Sequence, residues 1–194
     1  MQEEAISRPS PAPSPARRVP RTVILLAAVI VLIGAYSGIM HLVRQHVTNL
    51  IEAGEQKPLP DFALTAVDGK QWTRASLLGK TVVLNFFRSK CANCVRERDT
   101  IRQLAEEAHK DRVVVLGIMM DRVLGFPETV TRKTLASFGY QHPVLMADEQ
   151  FVEAFHKVRW SHVTPVTYVA SPNGVIVRAL RGHQDLATLR AAIR

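Results

Sequence analysis

The sequence predicts an α/β fold, a mixed sheet with helices on both faces, preceded by one membrane-spanning helix. From residue 58 onward, apolar runs of strand length alternate with helix-forming segments and with turns that contain Gly or Pro. Near the N-terminus, the run 22–43 contains no Asp, Glu, Lys or Arg. The only two cysteines, Cys91 and Cys94, stand between an apolar run and a helix-forming segment. The predicted order after the membrane helix is β-hairpin, β, α, β, α, β, α, β, β, α.

Residues 1–21 are predicted to be a disordered cytoplasmic tail, because five prolines alternate with Ser, Ala and Arg and almost nothing there can be buried. The run 22–43 follows, and about 20 apolar residues suffice to cross the hydrocarbon core of a bilayer. Three arginines shortly precede this run, whereas only Arg44 directly follows it. The positive-inside rule therefore places the N-terminus in the cytoplasm and the rest of the chain outside.

A cleaved signal peptide is the alternative to this anchor. Val23–Ile33 has the length of a signal-peptide core, and residues 35–37 form an acceptable cleavage site. We favour the uncleaved anchor because the uncharged run continues past that site to Val43. Residues 44–57 are then expected to be a short polar tether, and residues 58–194 the folded domain. Both alternatives export this domain.

The first half of the domain is predicted to contain a β-hairpin, a buried strand and a helix. Asp68-Gly69 is a strong turn dipeptide, and it closes a hairpin between residues 62–64 and residues 71–72. The apolar run Thr81–Phe87 predicts a strand. The helix that begins at the cysteines is expected to continue to about Lys110.

The second half begins with another apolar run, 112–119, which is typical of a strand covered on both faces. Pro127 suits the first turn of a helix, and the segment 171–174 is a strong hairpin turn. The remaining predicted elements are a helix that starts at 126–128 and ends near 138–139, a strand at 143–146, a helix at 149–158, strands at 166–170 and 175–180, and a helix at 185–193.

The two cysteines carry the chemistry. A strand that ends in a C-x-x-C which opens a helix has the geometry of a dithiol/disulfide redox site. The sulfur of Cys91 then lies over the helix N-terminus, where free N–H groups and the helix dipole stabilise a thiolate. Two cysteines are too few for a disulfide scaffold, which leaves redox chemistry or metal binding as their use.

Charge and composition exclude some other functions. The net charge is +8, but no Lys/Arg-rich run with interleaved aromatic residues occurs, so nucleic-acid binding is not expected. The seven histidines show no metal-ligand spacing among themselves. No metal and no cofactor is expected beyond a redox-active Cys91–Cys94 disulfide.

The segment from Leu59 to the C-terminus resembles the TlpA/ResA-type membrane-anchored thiol-disulfide oxidoreductases, which have a thioredoxin-like fold. The resemblance rests on motifs that occur in the family's order: Pro60-Asp61-Phe62, Asp68-Gly69-Lys70, Gly79-Lys80, Asn85-Phe86-Phe87, Cys91-Ala92-Asn93-Cys94, Glu97, Val163-Thr164-Pro165 and Asn173-Gly174. The helix and strand between Met120 and Met146 match the αβ insertion that separates this family from plain thioredoxin. Three features depart from the pattern: the family usually has Trp where this chain has Phe87, often Pro where it has Ala92-Asn93, and often Pro where it has Asp99.

The resemblance implies roles for three residues of the first helix. Cys91 is the exposed nucleophile that attacks a partner disulfide, and the more buried Cys94 resolves the mixed disulfide. Glu97 lies close to the pair, where it opposes thiolate formation and carries protons to the resolving cysteine. The alternative for Glu97 is an ordinary exposed helix glutamate. The nearby cations either lower the pKa of Cys91 further or form a solvated basic face: Arg88, Lys90, Arg96 and Arg98.

The resemblance also implies a partner-binding surface. Thr164-Pro165 resembles the cis-proline loop that lies opposite the cysteines in this fold. It would aim the backbone N–H and C=O of Thr164 at the partner, which then pairs as an added strand. Phe87 and Trp160 are candidates for an apolar rim around this surface, and the alternative for either residue is a place in the core.

The implied partners are exported thiol/disulfide proteins, apocytochrome c among them, and a membrane electron donor that re-reduces the domain. The implied location is the bacterial inner membrane, with the domain in the periplasm. Reduction of partner disulfides is favoured over their oxidation.

Two other functions remain open. A copper-binding protein would use both cysteines with His162 or His183, because soft thiolates suit Cu(I); the copper-delivering relatives of this fold, however, use C-x-x-x-C. A peroxiredoxin-like peroxidase expects the pattern P-x-x-x-T-x-x-C. The residues before Cys91 do not match it.

Overall fold

The computed structural model describes residues 20–108, 112–155 and 163–194. The chain divides into two units, Met1–Leu42 and Val43–Arg194. Helix α1 (Arg21–Glu52) begins in the first unit. Its most apolar 18-residue window has a mean hydropathy of 2.6, so its length and composition suffice for a membrane span. A cleaved signal sequence has a similar length and composition.

The second unit contains the following elements among its described residues: β1 (Ala63–Thr65), β2 (Gln71–Thr73), a 3₁₀ turn (Ala75–Leu77), β3 (Thr81–Phe87), α2 (Ala92–Ala108), β4 (Val113–Met119), α3 (Glu128–Phe138), β5 (Val144–Met146), α4 (Glu149–Phe155), β6 (Val166–Ala170), β7 (Ile176–Arg181) and α5 (Leu186–Ala192). The predicted α/β fold and its order of elements are confirmed. The predicted helix ends at Lys110 and Val158 lie outside the described residues.

Strand β3 lies at the centre of a five-stranded sheet of order β5-β4-β3-β6-β7. It runs parallel to β4 and antiparallel to β6. In this register Asn85 pairs with Gly117 on one side and with Thr167 on the other. Because β6 is antiparallel, its first residue, Val166, lies beside Phe86, near the end of β3. The residues just before β6 therefore meet the segment that follows β3, which is where the cysteines are.

The side chains of β3 alternate between two cores, as the two-residue repeat of a strand requires. Leu84 and Phe86 join the larger core, together with Phe151 of α4 and Tyr168 of β6. Val83 joins the core under α2 and α5. Asn85 is 1% exposed and lies on the same face of the strand as Val83, so one polar side chain is buried beneath α2.

The structure differs from the sequence-based expectation at residues 44–57, which were expected to be a polar tether. Helix α1 continues to Glu52, and Val47 and Ile51 are buried in the larger core. These two residues are four apart, so they share one helix face. Two residues among mostly polar ones, with the apolar Leu50 exposed beside them, give too little apolar periodicity to be recognised in the sequence. Arg181 of β7 donates to the carbonyl of Arg44 (3.1 Å) and to Oγ1 of Thr48 (3.0 Å).

Candidate active site

Cys91 caps the N-terminus of α2. Its carbonyl accepts from the N–H of Val95 (3.1 Å), and it forms a disulfide with Cys94, S–S 2.03 Å. The N–H of Cys94 points at the Cys91 sulfur over 3.1 Å. The first N–H groups of a helix have no partner within the helix, and here one of them is directed at Sγ. When the disulfide is reduced, the same N–H and the positive helix end stabilise a thiolate on Cys91.

The two cysteines differ little in exposure. Cys91 is 5% exposed and Cys94 2%, so both are buried in the disulfide form. The order of exposure agrees with the sequence-based prediction, but the expectation of an exposed Cys91 is not met. The two cysteines are distinguished by position more than by burial, because Cys91 lies at the helix cap and Cys94 lies one turn inside the helix.

Phe87 does not form an apolar rim; of the two predicted places, rim and core, it occupies the core. Its side chain is 0% exposed and belongs to a cluster with both cysteines, Met119 and Phe138. The ring stacks on Phe138, with centroids 5.4 Å apart and planes at 20°. Helix α3 covers this end of the sheet, so Phe87 packs against the disulfide from inside. Trp160, the other predicted rim residue, lies outside the described residues, as does His162.

Thr164 lies against Cys91 because β6 runs antiparallel to β3. Both its carbonyl oxygen and its Oγ1 lie 3.6 Å from Cys91 Sγ. The Thr164–Pro165 peptide is cis, and Thr164 is 9% exposed. The sequence pointed only to the Thr164 backbone. The hydroxyl is a further donor within reach of the sulfur.

Glu97 is not a surface residue. Its side chain is 1% exposed, and it lies three residues after Cys94 on the same face of α2. Asn85 Nδ2 donates to Oε2 (2.9 Å), and the Gln184 backbone N–H donates to Oε1 (2.9 Å). Burial raises the pKa of Glu97 from 4.5 to about 7, and these two hydrogen bonds oppose the rise. The carboxyl therefore changes charge near neutral pH.

The residues that hold Glu97 were not predicted from the sequence. Asn85 also donates to Thr167 Oγ1 (3.0 Å), so a buried polar chain joins β6, β3 and α2. Asn85 interrupts an apolar strand, and that signal was visible in the sequence. The approach of Gln184 depends on the fold alone, since 87 positions separate it from Glu97.

The nearby cations do not all face the disulfide. Arg88 Nη1 donates to the carbonyls of Ser89 (2.8 Å) and Lys90 (3.0 Å), so it braces the segment before Cys91. Arg98 pairs with Asp99 (3.1 Å) and donates to the carbonyl of Ser137 in α3 (3.3 Å). Some of these cations therefore hold the backbone in place instead of lowering the pKa of Cys91. Burial lowers the pKa of Arg88, and the nearby charge of Asp121 offsets part of this change.

A helix cap that directs an N–H at one sulfur of a C-x-x-C disulfide, with a buried carboxyl one turn further on, defines a thiol-disulfide oxidoreductase. The surrounding mixed sheet and helices give it a thioredoxin-like fold.

The chain belongs to the AhpC/TSA family, whose model matches residues 56–179. It is 27% identical over 124 residues to the thiol-disulfide oxidoreductase ResA of Geobacillus kaustophilus, and the match covers 63% of this chain and 67% of that protein. It is 24% identical over 129 residues to ResA of Bacillus subtilis, covering 66% and 68% of the two chains. These relatives and the Cys91–Cys94 pair agree on the redox activity.

Solved structures agree on the fold. A thioredoxin-family thiol:disulfide interchange protein from Chlorobium tepidum superposes with a TM-score of 0.60 at 24% identity, covering 72% of this chain and 98% of that one. The exposed lipoprotein thioredoxin of Streptococcus pneumoniae superposes with a TM-score of 0.60 at 25% identity, covering 69% and 98%.

Proposed function

We propose that the protein is anchored in the bacterial inner membrane and reduces disulfides of exported proteins on the outer side. The apolar helix α1 and its basic N-terminal flank support the anchor and its orientation. The likeness to an exposed lipoprotein thioredoxin of Streptococcus pneumoniae also supports a domain outside the cytoplasm. The helix cap supplies the Cys91 thiolate that begins the reaction. Because a stabilised thiolate also stabilises the dithiol form, the reduction potential of the couple, and not the cap, sets the direction of electron flow.

The reaction begins with the dithiol form. The Cys91 thiolate attacks one sulfur of the partner disulfide, and the partner's other sulfur leaves as a thiolate and takes up a proton. Cys94 then loses its proton and attacks the Cys91 sulfur. The Cys91–Cys94 disulfide forms, and the second partner thiol leaves. The partner gains two electrons and two protons, which a membrane donor of thiols must later restore to this domain.

Glu97 serves the second step. It lies on the same helix face as Cys94, and its pKa of about 7 lets it accept a proton from that thiol near neutral pH. Its position between Asn85 and the Gln184 N–H keeps the carboxyl in one place.

Thr164 serves docking. Its carbonyl lies 3.6 Å from Cys91 Sγ, and a partner segment that pairs with this backbone would bring its own disulfide to the nucleophile. Apocytochrome c is one partner of matching chemistry, because its haem-attachment motif is itself a C-x-x-C pair.

The N–H of Cys94 directed at Cys91 Sγ carries the proposal. Its test is reduction of insulin disulfides by the full-length reduced protein, with Cys91→Ala as the control that should not react. Peroxide consumption and Cu(I) binding are measured on the same preparation. Rapid peroxide turnover with no insulin reduction would favour the peroxidase, and tight Cu(I) binding with no disulfide exchange would favour the copper protein.

Direction and location need their own measurements. Equilibration with glutathione gives the reduction potential of the Cys91/Cys94 couple, and a value near or below that of the glutathione pool supports the reductase. A strongly oxidising value would make the protein an oxidant of its partners.

For location, external protease should remove the domain from spheroplasts, and the protein should stay with the membrane after a high-salt wash. A soluble mature form that begins near Gly38 would instead establish signal-peptide cleavage.

A further inference from the structure

A second buried carboxylate, Asp121, lies beside the segment that precedes Cys91. Asp121 lies two residues beyond the end of β4 and is 0% exposed. Its Oδ1 accepts from the backbone N–H of Ser89 (2.7 Å), and its Oδ2 accepts from the Ser89 hydroxyl (2.5 Å). The Thr131 hydroxyl of α3 donates to the same Oδ2 (2.8 Å). A carboxylate can take all three donors because it offers only acceptor sites.

The segment between β3 and Cys91 is held from two directions. Asp121 holds the N–H and the hydroxyl of Ser89, while Arg88 Nη1 holds the carbonyls of Ser89 and Lys90. Lys90 has a φ of +53°, which side chains of L-residues seldom adopt. Cys91 comes next in the chain. A backbone of this shape needs support from its surroundings, and these hydrogen bonds supply it.

We propose that Asp121 is a positioning residue for the redox couple. Acting through Ser89, it fixes the segment that places the Cys91 sulfur within bonding distance of Cys94 and within 3.6 Å of the Thr164 carbonyl. The inference rests on the Cys91/Cys94 couple itself and does not depend on the direction of electron flow or on the membrane location.

Positioning has a direct readout in the equilibrium between this couple and glutathione. The reduced protein and oxidised glutathione exchange two electrons and two protons to give the protein disulfide and two molecules of reduced glutathione. The better the two cysteines are held together, the further this equilibrium favours the protein disulfide. General loss of stability that leaves the folded site unchanged does not move it.

The experiment compares three variants of the full-length protein in detergent. Ser89→Ala removes the hydroxyl contacts to Asp121 and to Thr134 Oγ1 of α3 (2.6 Å), keeps the Ser89 N–H bond to Asp121, and changes no charge. Asp121→Asn removes the carboxylate. Thr131→Val is the matched control, because it removes a hydroxyl bond to the same Oδ2 from α3 and leaves the Ser89 contacts in place. The measurements are the equilibrium constant with glutathione and the thermal unfolding midpoint.

Ser89→Ala and Asp121→Asn should lower the equilibrium constant for disulfide formation about tenfold, equivalent to about 30 mV for this two-electron couple. Thr131→Val should lower the unfolding midpoint but keep the constant within about twofold of wild type. Equal shifts in all three variants would overturn the proposal, since they would show a general effect of α3 packing. No shift in Asp121→Asn would also overturn it, because this variant loses the carboxylate that holds both the N–H and the hydroxyl of Ser89.

Discussion

A buried carboxyl group lies on each side of the disulfide, and the two groups have different hydrogen-bond surroundings. Beside Cys94, Glu97 accepts one hydrogen bond at each oxygen, and burial raises its pKa to about 7. Beside Cys91, Asp121 takes three donors, two of them on a single oxygen. The comparison teaches that burial alone does not assign a carboxyl its role. The donors around it, and the element that each donor belongs to, decide whether it can carry a proton or hold a backbone.

The largest expected effect separates the two cysteines. Cys91→Ala and Cys94→Ala should each abolish turnover of a protein disulfide, but only Cys94→Ala should accumulate mixed disulfides. The reason is that the helix cap activates Cys91 for attack, and resolution fails without Cys94. Non-reducing gels of both variants after incubation with insulin give the readout. Adducts in Cys91→Ala and none in Cys94→Ala would instead make Cys94 the nucleophile and Cys91 the resolving cysteine.

The next effect concerns proton transfer on the Cys94 side. Glu97→Gln should slow the resolving step about 100-fold, the scale of one positioned general base, while the initial attack by Cys91 changes less. Single-turnover kinetics with a chromogenic disulfide separate the two steps. Glu106→Gln is the control, since Glu106 is an exposed carboxyl on the same helix. Wild-type resolution in Glu97→Gln would leave Glu97 with a structural role only.

Glu97 should also make stability depend on pH in a defined window. Its pKa rises from 4.5 to about 7 on folding, so the folded protein keeps a proton that the unfolded chain releases between these values. This contribution is fully present below pH 4.5, falls as pH rises, and is lost above about pH 7. At about 1.36 kcal/mol per pKa unit, the loss is about 3 kcal/mol.

Urea unfolding of the oxidised protein across this range measures the loss, and Glu97→Gln supplies the comparison because it has no charge to titrate. The difference in unfolding free energy between wild type and variant should therefore slope between pH 4.5 and 7. Parallel curves for the two proteins would contradict the raised pKa.

The smallest effect tests packing under the disulfide. A Cβ on Gly117 would lie 3.1 Å from Phe87 Cε1 and 3.2 Å from Val144 Cγ2. Gly117→Ala should therefore cost about 1–3 kcal/mol of unfolding free energy, as is usual for overpacking. Adding Phe87→Leu should restore part of this loss. A Gly117→Ala protein as stable as wild type would show that the Phe87 cluster is loosely packed.

The elements of the fold could be predicted because each strand and helix carries its own period and turn residues. The docked end of α1 could not, since only Val47 and Ile51 in that segment are buried, while the adjacent apolar Leu50 is exposed and the other residues beside them are polar. The choice between rim and core for Phe87 could not be made from the sequence, because the order of residues in a strand does not show that α3 covers its last residue.

The site was predictable where it is local in sequence and not where it is assembled by the fold. Cys91, Cys94 and Glu97 lie within two turns of one helix, so their proximity follows from helix geometry. Ser89 and Asp121 are 32 positions apart, and Glu97 and Gln184 are 87 apart. Only the parallel pairing of β3 with β4, and the path of the chain after β7, bring these groups together.

The most direct test of the account is the pKa of each thiol in the reduced protein. Alkylation rates across pH, measured for Cys91 in Cys94→Ala and for Cys94 in Cys91→Ala, give one value for each site without coupling between them. An unperturbed thiol titrates at about 8.5. The helix cap predicts a pKa for Cys91 below this value, and the neighbouring Glu97 carboxylate predicts a pKa for Cys94 above it. Equal values near about 8.5, or a lower pKa for Cys94 than for Cys91, would contradict the account.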